Sequence, residues 1–97
     1  MAPDARAERT LKIRNRLGMH ARAAVKFVQL ANHFRSEVMV MKDGTSVNGK
    51  SIMGILTLVA ALGTQITVAA EGADSEEAVN SLAALVEDGF GEGVVDA

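Results

Sequence analysis

The chain has 97 residues and a formal net charge of −2, and it contains no cysteine, tryptophan or tyrosine. This length predicts a single domain over residues 1–97 with one modest core. Without cysteine there is no disulfide bond and no thiolate metal site, and we predict no metal and no cofactor. The weakly acidic composition and the lack of stacking aromatic side chains argue against nucleic-acid binding.

The two ends of the chain predict tails without regular structure. Residues 1–7 carry charges and no apolar run, which is not typical of a signal peptide, and no later apolar run is long enough to span a membrane. We therefore expect a soluble, cytoplasmic protein with no membrane contact. Residues 1–8 and the glycine-rich, acidic residues 91–97 are expected to be loose.

The first two elements are a strand and a helix joined at a histidine. Polar and apolar residues alternate over about residues 9–14, which predicts a half-buried strand. After His20 the apolar residues recur at helical spacing, so an amphipathic helix is expected from His20 to about His33. Its buried stripe consists of Ala24, Phe27, Val28, Ala31 and Phe34. His33 has a structural role in this interpretation, because a histidine is favourable near a helix C-terminus.

The middle of the chain predicts a hairpin and a short helix. Strands are expected at residues 37–42 and 45–48, because Asp43-Gly44 is a strong signal for a short turn. Ser51 is a good N-cap for the helix that follows. Its predicted buried stripe consists of Ile55, Leu58, Val59 and Leu62. Ile52, Met53 and Leu56 lie off this stripe and predict an exposed apolar docking patch, unless a neighbouring segment covers them.

The last part of the chain predicts a fourth strand at residues 65–70 and a third helix that ends before Gly89. The helix begins with a capping-box-like sequence at residues 74–77. Its apolar stripe consists of Ala78, Val79, Leu82, Leu85 and Val86. The order β-α-β-β-α-β-α predicts an α+β, two-layer domain with an antiparallel sheet, because the helices need one sheet face to bury their stripes.

The junction around His20 has the composition of an anion site. A neutral imidazole has a nucleophilic nitrogen, and the first N–H groups of a helix point outward with the positive end of the helix dipole. Arg22 adds a permanent charge two residues later, and Gly18 permits a tight turn. This set suits a phosphoryl group carried on the ring. The alternative is a solvated surface histidine followed by an ordinary polar helix residue.

The sequence Gly18-Met19-His20-Ala21-Arg22 closely resembles the motif of the histidine-containing phosphocarrier protein (HPr) family of the phosphoenolpyruvate-dependent phosphotransferase system. The resemblance implies an open-faced sandwich of four antiparallel strands covered on one face by three helices, over roughly residues 9–90. Ala23 departs from the family, which usually has proline there. This change removes roughly 0.5–1 kcal/mol of preorganisation and leaves the nucleophile in place.

The same resemblance implies a role for each site residue. His20 would accept a phosphoryl group on Nδ1 from Enzyme I and pass it to an enzyme IIA protein, so the chain is a carrier rather than an enzyme with its own turnover. Ala21 and Arg22 would supply backbone amides, and Arg22 also its side chain. Arg16 would add steering toward acidic partners. The implied partner contacts are Ile52, Met53 and Leu56. The family is usually monomeric, and we expect a monomer.

Ser51 carries a second resemblance. Lys50-Ser51-Ile52-Met53-Gly54 matches the regulatory-serine segment of relatives controlled by a serine kinase/phosphorylase. A phosphate on Ser51 would place ~1.5–2 negative charges beside the apolar patch and repel an acidic partner. The alternative is that Ser51 only caps the helix. Residues 15–20 and Gly89-Phe90 resemble the nitrogen-regulatory branch of the HPr family. A function in sugar uptake and a function in regulation therefore both remain open.

Two other functions are weighed against the carrier. A regulatory or ligand-binding module of similar α+β topology would not depend on His20 and would show a pocket or an oligomer interface. A hydrolase could use His20 as a general base, but no Ser, Cys or Asp partner accompanies it at a recognisable spacing.

Overall fold

The computed structural model describes residues 5–95. The predicted order of elements is confirmed. The elements are β1 (Arg6–Lys12), α1 (Ala21–Ala31), β2 (Glu37–Lys42), β3 (Thr45–Asn48), α2 (Ile52–Thr57), β4 (Gln65–Glu71) and α3 (Ser75–Glu87), followed by a 3₁₀ turn at Gly89–Gly91. None of the helices in this range has the length and apolar character needed to cross a bilayer.

The four strands form one antiparallel sheet in the order β1-β4-β2-β3. Leu11 of β1 lies opposite Ile66 of β4, and Val68 of β4 lies opposite Val40 of β2, so buried side chains continue from strand to strand. The three helices pack on this face. The predicted open-faced α+β sandwich is therefore confirmed.

The helices pack against the sheet with apolar side chains from the stripes that the spacing of apolar residues predicts. Phe27 of α1, Ile55 of α2 and Leu82 of α3 are all fully buried in one hydrophobic cluster with the sheet. Phe34 and Leu85 are partly buried at its edge. A single core thus joins all three helices to the sheet.

Three predicted boundaries are wrong. β1 begins at Arg6 rather than residue 9, because Arg6 already pairs with Glu71 of β4, so the predicted loose tail does not include residues 6–8. β1 ends at Lys12, before the predicted residue 14. α1 ends at Ala31, because the Asn32 side chain donates to the Val28 carbonyl at 3.0 Å and caps the helix. Residues 1–4 lie outside the described residues.

The short helix α2 differs most from its prediction. Ile55 and Leu58 are buried as predicted, but Val59 is 74% exposed and Leu62 is 36% exposed. The helical period does not extend to them, because α2 ends at Thr57, whose hydroxyl donates back to the Gly54 carbonyl at 2.6 Å. The prediction that Val59 and Leu62 are buried is therefore wrong.

Asp74 holds the start of α3 against the start of β2. It occupies the predicted N-cap position, but its side chain does not cap α3. Its carboxylate instead accepts hydrogen bonds from the Arg35 and Ser36 amides, each at 2.9 Å, and from the Ser36 hydroxyl at 2.5 Å. The Ser36 hydroxyl, followed by the Arg35 amide, lowers the pKa of Asp74 to about 2.

We expect Asp74→Asn to remove part of the acid sensitivity of this fold. The folded-state pKa of Asp74 lies below its ordinary value of 3.8, so its stabilising effect is present above that value and is lost as the pH falls toward 2. Urea unfolding midpoints between pH 7 and pH 2 measure this. Asp74→Asn should be less stable than the native chain at pH 7, and the difference should shrink below pH 4.

The control for this measurement is Asp43→Asn in the exposed turn between β2 and β3, which removes the same charge elsewhere. Within residues 5–95 the Asp43 carboxylate contacts Lys42 Nζ at 3.7 Å, and 86% of its side chain is exposed. The difference between this variant and the native chain should therefore change less over the same pH range than the difference for Asp74→Asn. A difference for Asp74→Asn that does not change with pH would contradict the role given to its ionised carboxylate.

Candidate functional site

His20 is the N-cap of α1, as predicted. Its backbone is extended, with φ −74° and ψ 179°, and its carbonyl accepts the Ala24 amide at 2.8 Å as the first bond of the helix. The Arg22 amide donates to His20 Nδ1 at 3.3 Å. The ring is therefore folded back over the first turn of the helix, and Nδ1 faces the amides that have no partner inside α1.

The loop before His20 is a tight turn that is fastened at both ends. The Gly18 amide donates to the Asn15 carbonyl at 3.1 Å, and Gly18 has a φ of +66°. The Met19 amide donates to the Ala60 carbonyl at 2.8 Å, which joins the loop to the segment after α2. These bonds fix the direction from which the chain enters α1.

The other ring nitrogen of His20 contacts a carboxylate that the sequence did not indicate. His20 Nε2 lies 2.5 Å from Glu92 Oε2. The second oxygen of Glu92 accepts from Asn15 Nδ2 at 2.9 Å, and the same nitrogen donates to the Gly18 carbonyl at 2.8 Å. Asn15 is completely buried. One carboxylate therefore connects the loop to the histidine ring.

These contacts favour the ionised form of Glu92 and one tautomer of the His20 ring. The Asn15 amide most of all, and then the His20 ring and the Lys26 charge, lower the pKa of Glu92, while burial opposes them. An ionised carboxylate only accepts hydrogen bonds, so the proton lies on His20 Nε2. The amide of Arg22 only donates, so Nδ1 carries the lone pair. Both partners specify the same tautomer.

Glu92 is held in place by the segment that follows α3. Phe90 is completely buried, and its carbonyl accepts from Lys26 Nζ at 2.7 Å. The Val95 amide donates to the Arg14 carbonyl at 2.8 Å. The prediction of a loose end is therefore wrong for residues 91–95, because a buried aromatic ring and these hydrogen bonds attach it. Residues 96 and 97 lie outside the described residues.

The signal that could have revealed Glu92 was Phe90. A large apolar side chain at the end of a small domain is expected to be buried, and residues close to it in the chain then lie near the core. The glycines around Phe90 predict a loop, but a loop without regular structure is still held in place where it carries a buried side chain.

The remaining predicted site residues surround the histidine in the chain. Arg22 is exposed, and its guanidinium makes no hydrogen bond within residues 5–95. Arg16 is exposed in the turn before His20, and Ala21 is the exposed first residue of α1. Across the described part of the chain, no group of three or more His, Asp or Glu side chains is arranged to hold a metal ion.

An apolar surface lies beside His20. Of the predicted docking residues, Ile52 is 38% exposed, Met53 is 73% exposed and Leu56 is partly buried. A depression of about 230 Å³ connects Leu56 to His20, and it is lined by Leu17, Met19, His20, Leu56, Val59, Ala60 and Ala61. The structure adds Leu17, 65% exposed, and Val59, 74% exposed. We call Leu17, Ile52, Met53, Leu56 and Val59 the apolar patch.

Ser51 is the N-cap of α2, as predicted. Its hydroxyl accepts the Gly54 amide at 3.0 Å, and the residue is partly exposed. Ser51 directly precedes Ile52, so a group added to its hydroxyl would lie at the edge of the apolar patch.

Comparison with known proteins agrees with this geometry. A family model described as "PTS HPr component phosphorylation site" matches residues 7–88. The phosphocarrier protein HPr of Neisseria meningitidis serogroup A is 50% identical over 86 residues, which are 89% of this chain and 97% of the relative.

Two solved structures from Thermoanaerobacter tengcongensis have the same fold. The crystal structure of its HPr aligns with a TM-score of 0.87 at 46% identity, over 91% of this chain and 99% of that chain. A crystal structure of an HPr dimer aligns with a TM-score of 0.72 at 48% identity, over 84% of this chain and 94% of that chain.

The open-faced sandwich and the histidine at its first helix define a phosphocarrier protein of the phosphotransferase system. This class is defined by the combination of fold and site, since neither the sheet nor a lone histidine is specific to it. Within that class, the chain belongs to the HPr family. Membership favours the carrier hypothesis over a ligand-binding module and over a hydrolase.

We expect Gly18→Ala to destabilise the loop that presents His20. An added Cβ would lie 2.6 Å from the Ala60 carbonyl oxygen and 2.9 Å from Ala61 Cα, both backbone atoms. The positive φ adds strain, and together these effects should lower the free energy of unfolding by about 2–4 kcal/mol. Urea unfolding at pH 7 measures the change.

Gly44→Ala is the matched control, because Gly44 has a φ of +82° and an added Cβ there meets nothing within 4 Å. It should cost about 1 kcal/mol from the left-handed conformation alone. Equal losses for the two variants would contradict the close approach of the loop to Ala60.

Proposed function

We propose that His20 accepts a phosphoryl group on Nδ1 from the phosphohistidine of Enzyme I and passes it to an enzyme IIA protein. The observation that supports this most directly is the orientation of the ring. Nδ1 carries the lone pair, accepts the Arg22 amide at 3.3 Å and faces the N-terminus of α1. A nucleophile in this position can receive an anionic group where amides and dipole stabilise it.

The transfer exchanges one nitrogen–phosphorus bond for another. The Nδ1 lone pair attacks phosphorus, and the bond to the donor imidazole breaks with its electron pair returning to the donor nitrogen. The amides of Ala21 and Arg22 and the exposed guanidinium of Arg22 stabilise the phosphoryl oxygens. Onward transfer to the acceptor is the same step in reverse.

The surroundings of His20 suit two macromolecular partners in turn. The apolar patch offers a docking surface that reaches the ring through the depression beside Leu56. Arg16 and Arg22 are exposed cations next to it and would steer partners with acidic surfaces. We propose that Enzyme I and enzyme IIA use this same surface.

We further propose that the chain acts as a single-domain monomer in the cytoplasm, as a reactant passed between enzymes, in sugar uptake or in regulatory signalling. A carrier that docks twice with one surface must leave that surface accessible, which a monomer does. Sedimentation at increasing protein concentration tests the oligomeric state independently of transfer.

We expect phosphoenolpyruvate and a cognate Enzyme I to add one acid-labile phosphate to the native chain, and none to His20→Ala. Intact-mass spectrometry detects the added phosphate directly. His33→Ala is the matched control, because its ring bonds the Gln29 carbonyl at the C-terminal end of α1. It should be phosphorylated at the native rate.

In the same assay, Arg22→Ala keeps the nucleophile and should slow phosphorylation by about 10²-fold, the effect of losing one preorganised donor. A native chain that stays unphosphorylated beside a charged Enzyme I would contradict the carrier function.

We also propose that a serine kinase/phosphorylase modifies Ser51. The support is its position: the hydroxyl caps α2, is partly exposed and directly precedes Ile52 at the edge of the apolar patch. A phosphate there would place negative charge on the surface that acidic partners approach, and it would change docking without refolding the domain.

We expect Ser51→Asp to slow phosphoryl transfer from Enzyme I by about 10-fold, because it adds negative charge at the edge of the docking surface. Asp is also a good N-cap, so α2 should stay intact. Initial rates at subsaturating concentrations of the chain measure the effect. Ser46→Asp, on the exposed strand β3, is the matched control and should transfer at the native rate. Equal slowing in both variants would contradict a local effect at Ser51.

A further inference from the structure

We propose that Glu92 is a positioning residue for phosphoryl transfer: its carboxylate holds the proton on His20 Nε2 while Nδ1 gains and loses the phosphoryl group. This inference rests on the proposed function of His20. Glu92 lies beyond residues 7–88, which the family model matches, so the match itself assigns it no role.

The two carboxylate oxygens of Glu92 have different partners. Oε2 lies 2.5 Å from His20 Nε2, and Oε1 accepts from the buried Asn15 amide at 2.9 Å. The Glu92 side chain is only 18% exposed, and that of His20 is 24% exposed, so water competes weakly for this contact. A carboxylate fixed by one oxygen and bonded to a ring by the other sets the orientation and the tautomer of the ring.

The chemistry requires a proton on Nε2 when the phosphoryl group leaves the ring. When Nδ1 attacks phosphorus, its lone pair forms the new bond and the ring becomes a positively charged phosphoimidazole with hydrogen still on Nε2. When the phosphoryl group leaves, the electron pair returns to Nδ1, and the leaving group is a neutral imidazole. Without the Nε2 proton the leaving group would be an imidazolate anion, which is far poorer. Glu92 stabilises the ring charge in the intermediate and retains the proton.

The charges that face this pair come from several elements. Lys26 of α1 donates to the Phe90 carbonyl at 2.7 Å, and its charge favours the ionised form of Glu92. Arg22 of α1 faces Nδ1 through its amide, and its guanidinium is exposed. Arg16 is exposed in the preceding turn, and Asn15 contributes a neutral amide. Within residues 5–95, Glu92 is the one carboxylate that bonds the His20 ring.

A purely structural role for Glu92 is the rival explanation, since its contacts also tie the C-terminal segment to the loop. Glu92→Gln separates the two roles. The amide oxygen of Gln still accepts a hydrogen bond, so part of the structural connection between the C-terminal segment and the loop would remain. The negative charge that retains the Nε2 proton would be lost. Only the charge-dependent role predicts a change in the pH dependence of transfer.

The experiment has two measurements on the full chain. First, ¹⁵N NMR of the unphosphorylated native protein at pH 8 should show a pyrrole-type Nε2 and a pyridine-type Nδ1 for His20, with no Enzyme I present. Second, the phosphorylated chain is mixed with dephosphorylated Enzyme I, and the rate at which the phosphoryl group leaves His20 is measured from pH 6 to pH 9. For Glu92→Gln we expect the alkaline fall in rate to begin about one pH unit lower, which makes transfer roughly 10-fold slower at pH 8.

Glu37→Gln is the matched control. Glu37 is an exposed carboxylate that begins β2, after the C-terminal end of α1, and within residues 5–95 it makes no hydrogen bond or ion pair with His20. Its pH profile should superimpose on the native one.

The outcomes separate this inference from the proposed function. A His20 ring with its proton on Nδ1, or a Glu92→Gln profile that superimposes on the native profile while only the unfolding midpoint changes, would overturn the role of Glu92 and leave the carrier intact. A native chain that accepts no phosphate would overturn the proposed function itself, and the role of Glu92 in transfer with it.

Discussion

The site depends on one buried amide. Asn15 is fully enclosed, and its Nδ2 atom bonds both the Gly18 carbonyl and Glu92, so a single group closes the turn before α1 and fixes the carboxylate that orients His20. Its Oδ1 atom is buried and accepts no hydrogen bond from the described residues, at a cost of roughly 1–3 kcal/mol. The fold tolerates this cost because an apolar residue at position 15 would leave both the turn and the carboxylate without their donor. A buried polar group therefore sets the geometry of the half-buried His20 ring.

The fold was predictable wherever hydrophobic period and turn chemistry agreed. The Asp43-Gly44 turn fixed β2 and β3, and the stripes of α1 and α3 identified their buried faces. The prediction failed where an end was decided by tertiary contacts. β1 extends to Arg6 because β4 offers pairing partners as far as Glu71. Residues 6–8 themselves carry no local signal for this pairing. Local sequence determines which element forms, whereas neighbouring strands determine where it ends.

The candidate site was likewise predictable where the signals are local and unpredictable where tertiary contacts decide. The position of His20 at a helix N-terminus was predictable, because a change of period and a glycine turn are local signals. Glu92 was not, because it lies 72 residues further along the chain and reaches the ring only after Phe90 enters the core. Val59 was misplaced for a related reason. It has a φ of +50°, uncommon for a β-branched residue, and this turns the chain out of α2 and leaves the side chain on the apolar patch beside His20.

A carrier differs from an enzyme in what its site must favour. A phosphocarrier receives a phosphoryl group from one partner and must release it to the next, so the phosphorylated state cannot be much more stable than the free one. Amides and cations alone would stabilise the phosphoryl group and slow its release. A carboxylate on the far nitrogen acts differently, because it supports the ring charge during bond formation and keeps the same proton during bond cleavage. Since the two transfers pass through equivalent states in opposite directions, a group that lowers one barrier in this way lowers the other as well. If Glu92 has the proposed role, the anchoring of residues 89–95 by Phe90, Lys26 and Val95 has a functional consequence, because these contacts hold in place the carboxylate that retains the Nε2 proton.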